Sequence, residues 1–157
     1  MLMNHILYVD DEPGLRDIGK LFLEADGEFT VDTLPSAVTA LDHLKSLHFE
    51  AIISDYQMPQ MDGITFLKAL RTGGDDTPFI IFTGRGREEV VIEALNSGAD
   101  FYVQKGGEPT AQFAELAHKI RHAISRRQAD QAVKKSEQDY RHLIEHANEA
   151  IYVVQDG

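Results

Sequence analysis

The chain has 157 residues, 43% apolar and 26% charged, which suits one globular domain or one domain plus a fragment. It has no cysteine, which excludes a disulfide framework and a thiolate metal site, and neither a signal-peptide pattern nor an apolar run near the ~20 residues of a membrane span is present, so a soluble, cytoplasmic chain without membrane contact is expected. Residues 1–109 hold 19 Asp/Glu against 8 Lys/Arg and residues 110–157 hold 7 of each, so the net charge of −11 sits on the first part, where it disfavours nucleic-acid partners.

His5-Ile-Leu-Tyr-Val9 is a short β-rich run that ends in Asp10, Asp11 and Glu12. Pro13 suits a helix start, and Leu15, Ile18, Leu21, Phe22 and Leu23 follow at roughly helical spacing. Phe29–Thr33 alternates like a strand. Ser36 is an expected N-cap for a helix carrying Val38, Leu41, Leu44 and Leu47. Ala51–Ser54 is the third strand. Asp62-Gly63 opens a helix with Ile64, Phe66, Leu67 and Leu70, which Gly73-Gly74 stops. Pro78–Thr83 reads as a strand buried on both faces. Glu88–Asn96 reads as a helix and Asp100–Lys105 as a fifth strand, and a further helix starts near Thr110. Strands alternating with amphipathic helices predict a parallel sheet covered on both faces, a doubly wound α/β fold.

From Ala111 the pattern stays helical. Phe113, Leu116, Ala117, Ile120 and Ile124 form an apolar stripe, which thins to Ala129, Ala132, Val133, Ser136 and Tyr140. Six residues between Lys119 and Lys135 are basic and one is acidic, which reads as a solvated helix face. Ile151-Tyr-Val-Val154 is expected to be a strand, with Gln155-Asp156-Gly157 as a turn. The expected organisation is a domain over 1–125, a helical connector over 126–139 and the opening of a second domain over 140–157.

Ligands of open α/β sheets bind beyond the carboxyl ends of the strands, where strand order reverses. Here those ends are Asp10-Asp11, Asp55, Thr83 and Lys105. Three carboxylates placed together raise one another's pKa. A hard divalent cation such as Mg²⁺ relieves that repulsion, and a carboxylate can serve as a nucleophile that forms an aspartyl-phosphate. Phosphoryl transfer needs charge neutralisation from metal and lysine. The set therefore points to Mg²⁺-assisted phosphorylation of an aspartate.

These residues resemble the receiver domain of two-component response regulators. The marks are the acidic pair after the first strand, Asp55 followed by Met58-Pro59 and Met61-Asp62-Gly63, Thr83-Gly84, and Lys105; the likeness runs from residue 3 to about 125. The resemblance implies a flavodoxin-like five-stranded sheet in the order 2-1-3-4-5 with five helices, the last extended into the connector. It implies that Asp55 is the phosphoacceptor and that Asp11, Asp55 and the backbone carbonyl of Gln57 bind Mg²⁺, with Asp10 orienting a metal-bound water. Lys105 would pair with the phosphoryl group, Thr83 would hydrogen-bond one of its oxygens, and Tyr102 would swing inward behind it. Gln57 and Arg85 lie where the family tunes dephosphorylation. The implied partner is a histidine kinase or phosphotransfer protein. A homodimer would form through the strand 4–strand 5–helix 5 face or through the connector. The family usually places a proline, with a cis bond, after the lysine; here Gly106-Gly107 follows, which loosens that loop.

Tyr140–Val154 resembles the opening of a PAS sensor domain, which implies a receiver–PAS protein with a PAS, sensor-kinase or other output. The receiver itself is then a switch, with only intrinsic autophosphorylation and autodephosphorylation. The rival enzyme reading is a Mg²⁺-dependent phosphatase. Such enzymes usually carry a second aspartate two residues after the nucleophile, and Gln57 stands there. A receiver that binds a partner without phosphorylation is disfavoured by the intact acid set. His118/His122 and His142/His146 share metal-compatible i, i+4 spacing but have no evident third ligand, and read as solvated helix face.

Overall fold

The computed structural model describes residues 3–84 and 87–156. Strands and helices alternate: β1 (Asn4–Val9), α1 (Pro13–Glu24), β2 (Phe29–Leu34), α2 (Ala37–His43), β3 (Ala51–Ser54), α3 (Gly63–Thr72), β4 (Phe79–Thr83), α4 (Glu88–Asn96), β5 (Phe101–Gln104) and α5 (Pro109–Asp156). The five strands are all parallel, in the order β2-β1-β3-β4-β5. This is the flavodoxin-like fold. Order reverses at β1, which pairs with β2 on one side and β3 on the other, and the acidic pair follows it.

Strand side chains alternate between two cores, as a period of two requires. Leu7, Val9, Ile52, Phe79 and Ile81 pack with Ala37, Phe66, Leu67, Leu70 and Ala94 from α2, α3 and α4. Ile6, Tyr8, Ile53, Ile80 and Phe82 pack with Leu23 of α1 and with Phe113, Leu116, Ile120 and Ile124 of α5. Both faces of the sheet are thus covered, which explains the unbroken apolar runs of β3 and β4.

Local signals set the element ends. Pro13 begins α1, where its missing N–H is not needed. Ser36 caps α2, its hydroxyl accepting from Thr39 N–H at 3.2 Å. Asp62 caps α3 in the same way, accepting from Thr65 N–H at 2.7 Å. Gly74, Gly98, Gly106 and Gly107 all have positive φ. Among the described residues no peptide bond is cis.

Three expectations are corrected. Ile18 and Leu21 do not belong to the buried stripe of α1; Leu21 is 71% exposed. The α1 core side runs through Gly19 and Leu23 instead, since a helix lying on a sheet buries only the stripe that faces it. Helix α2 ends at His43, so Leu44 is its C-cap and Leu47 lies outside it. The strand expected over 151–154 is helical, within α5. Among the described residues no strand pairs with it, and without one only a helix satisfies its backbone hydrogen bonds locally. Gly157 of the expected turn lies outside the described residues.

By contact density the chain divides into Met1–Ile124 and Ser125–Gly157. The second is helical to Asp156, with Val133, Tyr140, Leu143 and Ile144 exposed. Among the described residues no helix is long and apolar enough to cross a membrane.

Candidate functional site

The carboxyl ends of β1, β3, β4 and β5 meet at one rim. A cleft of about 450 Å³ opens there, lined by Asp11, Glu12, Asp55, Gln57, Thr83, Gly84 and Lys105. A larger cleft of about 870 Å³ lies between α2 and α3, lined by residues such as Val38, Leu41 and Leu70. None of the strand-end residues lines it; they meet at the smaller, polar one.

Asp55 is placed by the end of β3. Its backbone N–H donates to Val9 O at 2.9 Å, and Gly63 N–H donates to Tyr56 O at 2.8 Å, which brings the start of α3 under the strand end. A Cβ on Gly63 would run into the Asp55 carbonyl oxygen, so only glycine allows this approach. The Asp55 carboxylate is 6% exposed by residue. It accepts from Tyr56 N–H at 2.8 Å and from the Thr83 hydroxyl. Lys105 Nζ lies 3.5 Å away.

Asp10 is fully buried. Its Oδ1 accepts from Glu12 N–H at 2.9 Å, and its Oδ2 accepts from Lys105 Nζ at 2.7 Å and from the Tyr8 hydroxyl at 3.2 Å. Its carbonyl accepts from Arg16 Nη1 at 2.6 Å. Asp11 is exposed at the cleft mouth. One oxygen each from Asp10, Asp11 and Asp55 lies within 4.8 Å of the others. Such an all-oxygen donor set fits a hard divalent cation. Of the three, Asp11 and Asp55 line the cleft and Asp10 does not.

Tyr102 follows Phe101 on β5, in register with Ile81. It is half-buried; burial, and then the Asp55 charge, raise its phenol pKa. Thus the structure brings together Asp10, Asp11, Asp55, Gln57, Thr83 and Lys105, with Tyr102 beside them. Arg85 lies outside the described residues. Sequence reading missed Tyr8, Glu12, Arg16 and Gly63. Tyr8 carried a usable signal, since it stands two residues before Asp10 on a strand and faces the same side. His118/His122 and His142/His146 join no metal-binding cluster among the described residues.

Burial raises the Asp55 pKa above its ordinary 3.8, more than Lys105 and the Thr83 hydrogen bond lower it. A carboxyl whose folded pKa is raised favours folding most below 3.8, and that contribution is lost as pH rises through the raised value. Asp55→Asn cannot ionise. Without divalent metal it is expected to melt above wild type at pH 7, with the gap closing as pH falls toward the ordinary carboxylate range. Thermal melts in chelator across that range check this; a wild type that melts higher at pH 7 would mean that Lys105 outweighs desolvation.

Fold and site together define a flavodoxin-like domain whose rim holds a carboxylate facing a lysine. Residues 6–121 match the family model of the response regulator receiver domain, and the chain belongs to that family. It is 36% identical over 126 residues to Response regulator Rre1 of Synechocystis, covering 79% of this chain and 53% of that protein. It is 34% identical over 119 residues to the transcriptional regulatory protein FixJ of Bradyrhizobium diazoefficiens, covering 76% and 58%. The chain thus spans about half the length of these curated relatives. A solved receiver domain from Clostridium thermocellum aligns with a TM-score of 0.72 at 28% identity, covering 81% of this chain and 98% of that one.

Proposed function

We propose that the domain is a phosphorelay switch in which Asp55 accepts a phosphoryl group from a histidine kinase or phosphotransfer protein. One observation carries this reading: a nearly buried carboxylate stands in a polar cleft with Lys105 Nζ at 3.5 Å and a Thr83 hydroxyl bonded to it. An Asp55 oxygen bonds to phosphorus as the donor's phosphorus–nitrogen bond breaks. Lys105 moves onto a phosphoryl oxygen, Thr83 donates to another, and Tyr102 turns inward behind it. Asp11, Asp55 and the Gln57 carbonyl would hold Mg²⁺, with Asp10 orienting a bound water. The ion would supply charge neutralisation for the transferred group. The added charge of roughly −1.5 to −2 biases the loops after β4 and β5.

The same proposal takes residues 126–139 as a connector and 140–157 as the opening of a PAS-like domain, supported by the sequence likeness at Tyr140–Val154. The full-length protein would pass the switch to a PAS, sensor-kinase or other output in the cytoplasm. A second copy would meet it through the β4–β5–α5 face or through the connector, where exposed Val133, Tyr140 and Leu143 favour association. The acidic charge supports a protein partner over nucleic acid.

Intact mass after incubation with acetyl phosphate and Mg²⁺ tests the reading. One added phosphoryl group is expected in wild type and none in Asp55→Asn or in chelator. An adduct that persists in Asp55→Asn would move the acceptor elsewhere.

A further inference from the structure

Tyr8 lies beneath the cleft and has no part in the chemistry so far. Its side chain is fully buried on β1, with the Phe82 ring centroid 6.4 Å from its own. On the α1 side it fills space that only a glycine leaves, since a Cβ on Gly19 would stand 2.8 Å from Tyr8 Cε1. A valine or isoleucine would meet the packing need of a buried strand position. A phenol there must also find a partner for its hydroxyl, and that partner is Asp10 Oδ2 at 3.2 Å.

The same oxygen accepts from Lys105 Nζ at 2.7 Å. The charged donor holds the near position, and the phenol stands farther off than the usual ~2.7–2.8 Å of an O–H···O bond. Lys105 Nζ is also 3.5 Å from Asp55 Oδ2, so a small movement carries it from Asp10 to a group on Asp55. Asp10 is fully buried. When Lys105 leaves, that buried oxygen loses its charged donor, and a buried charge short of a donor is costly.

We propose that Tyr8 is a positioning residue that takes over Asp10 Oδ2 when Lys105 turns to the phosphoryl group. This rests on the phosphoacceptor reading above. The phenol is a reserve donor: it contributes little while Lys105 sits on Asp10 and much once Lys105 has gone. Its effect therefore falls on the loaded state rather than on the resting one, which a purely structural tyrosine does not do.

The test pairs metal-free melting with calorimetric titration of beryllofluoride in Mg²⁺, a mimic of the phosphoryl group. Tyr8→Phe keeps the ring and removes only the donor. It is expected to melt close to wild type without metal and to bind beryllofluoride about tenfold more weakly, the effect of one lost hydrogen bond to a charged group. Ile6→Val trims the same core cluster away from the site; it is expected to lower the melting temperature and leave beryllofluoride affinity unchanged. Tyr8→Phe binding as tightly as wild type, or losing melting temperature without losing affinity, would overturn the exchange alone. Failure of wild type to bind beryllofluoride would overturn the phosphoacceptor reading, and this inference with it.

Discussion

Lys105→Met is expected to cost the metal-free domain about 3 kcal/mol, the range found when one partner of a buried ion pair is removed. It is also expected to slow phosphorylation on the order of 100-fold, as when one fixed charge donor is taken from a reacting oxyanion. Both effects have the same origin. Lys105 Nζ is the one cation bonded to the buried Asp10 carboxylate among the described residues, at 2.7 Å, and it faces Asp55 at 3.5 Å. Its side chain is 14% exposed, so the pair is poorly screened by solvent. Methionine keeps the length and the stem packing and leaves two acids together without their counter-charge. Mg²⁺ should restore part of the lost stability, since it neutralises the same acids. Denaturant unfolding with and without Mg²⁺, beside the rate of mass gain from acetyl phosphate, measures both. A metal-free Lys105→Met domain as stable as wild type would show that Asp10 does not depend on the ammonium.

Gly63→Ala is expected to be of similar size, about 3 kcal/mol, the upper part of the usual overpacking range. The added methyl meets backbone rather than a yielding side chain: the Asp55 carbonyl oxygen lies in its path, with Ser54 Oγ at 3.2 Å. Either α3 moves off the strand end, losing the Gly63 N–H bond to Tyr56 O, or β3 gives way. Both displace Asp55, and a shift of about 1 Å at a reacting group can cost roughly 100-fold in rate. Gly14→Ala is the contrast. Gly14 lies in α1 and nothing stands within 4 Å of its added Cβ, so alanine should stabilise the helix by up to about 1 kcal/mol. Comparing the unfolding free energies and phosphorylation rates of the two variants separates close approach from a general effect of glycine. Equal behaviour would remove the argument for Gly63.

The two variants also mark what could be read in the sequence. Lys105 was visible because a lone cation at a strand end, set against three acids at other strand ends, has few packing explanations. The ends of β3 and α4 were visible for a related reason: Asp55 stops one apolar run and Ser97-Gly98 the other. Gly63 was legible as a helix start but not as a contact. Its role depends on how near α3 passes to β3, a distance that no local pattern encodes. Tyr8 was read only as part of a β-rich run, although strand alternation placed it on the Asp10 side. Ile18 and Leu21 failed in the opposite direction, since helical spacing counts apolar residues without knowing how much of a helix its neighbours cover. The 151–154 run failed because strand propensity acts only where a partner strand exists.

Strand β5 has four residues and stands at the edge of the sheet, paired with β4 alone. Beyond it, Lys105 N–H donates to Thr83 O at 2.9 Å, and two glycines with positive φ follow. The acids, in contrast, leave the interior strands β1 and β3. Interior strands open at higher free energy than edges do. The negative half of the site is therefore built on interior strands, while its positive half comes from an edge strand. The lysine faces the acids only where β5 is paired with β4. Docking of β5 and neutralisation of the buried acids thus depend on one edge pairing: a chain in which β5 is loose presents Asp55 without the lysine that faces it.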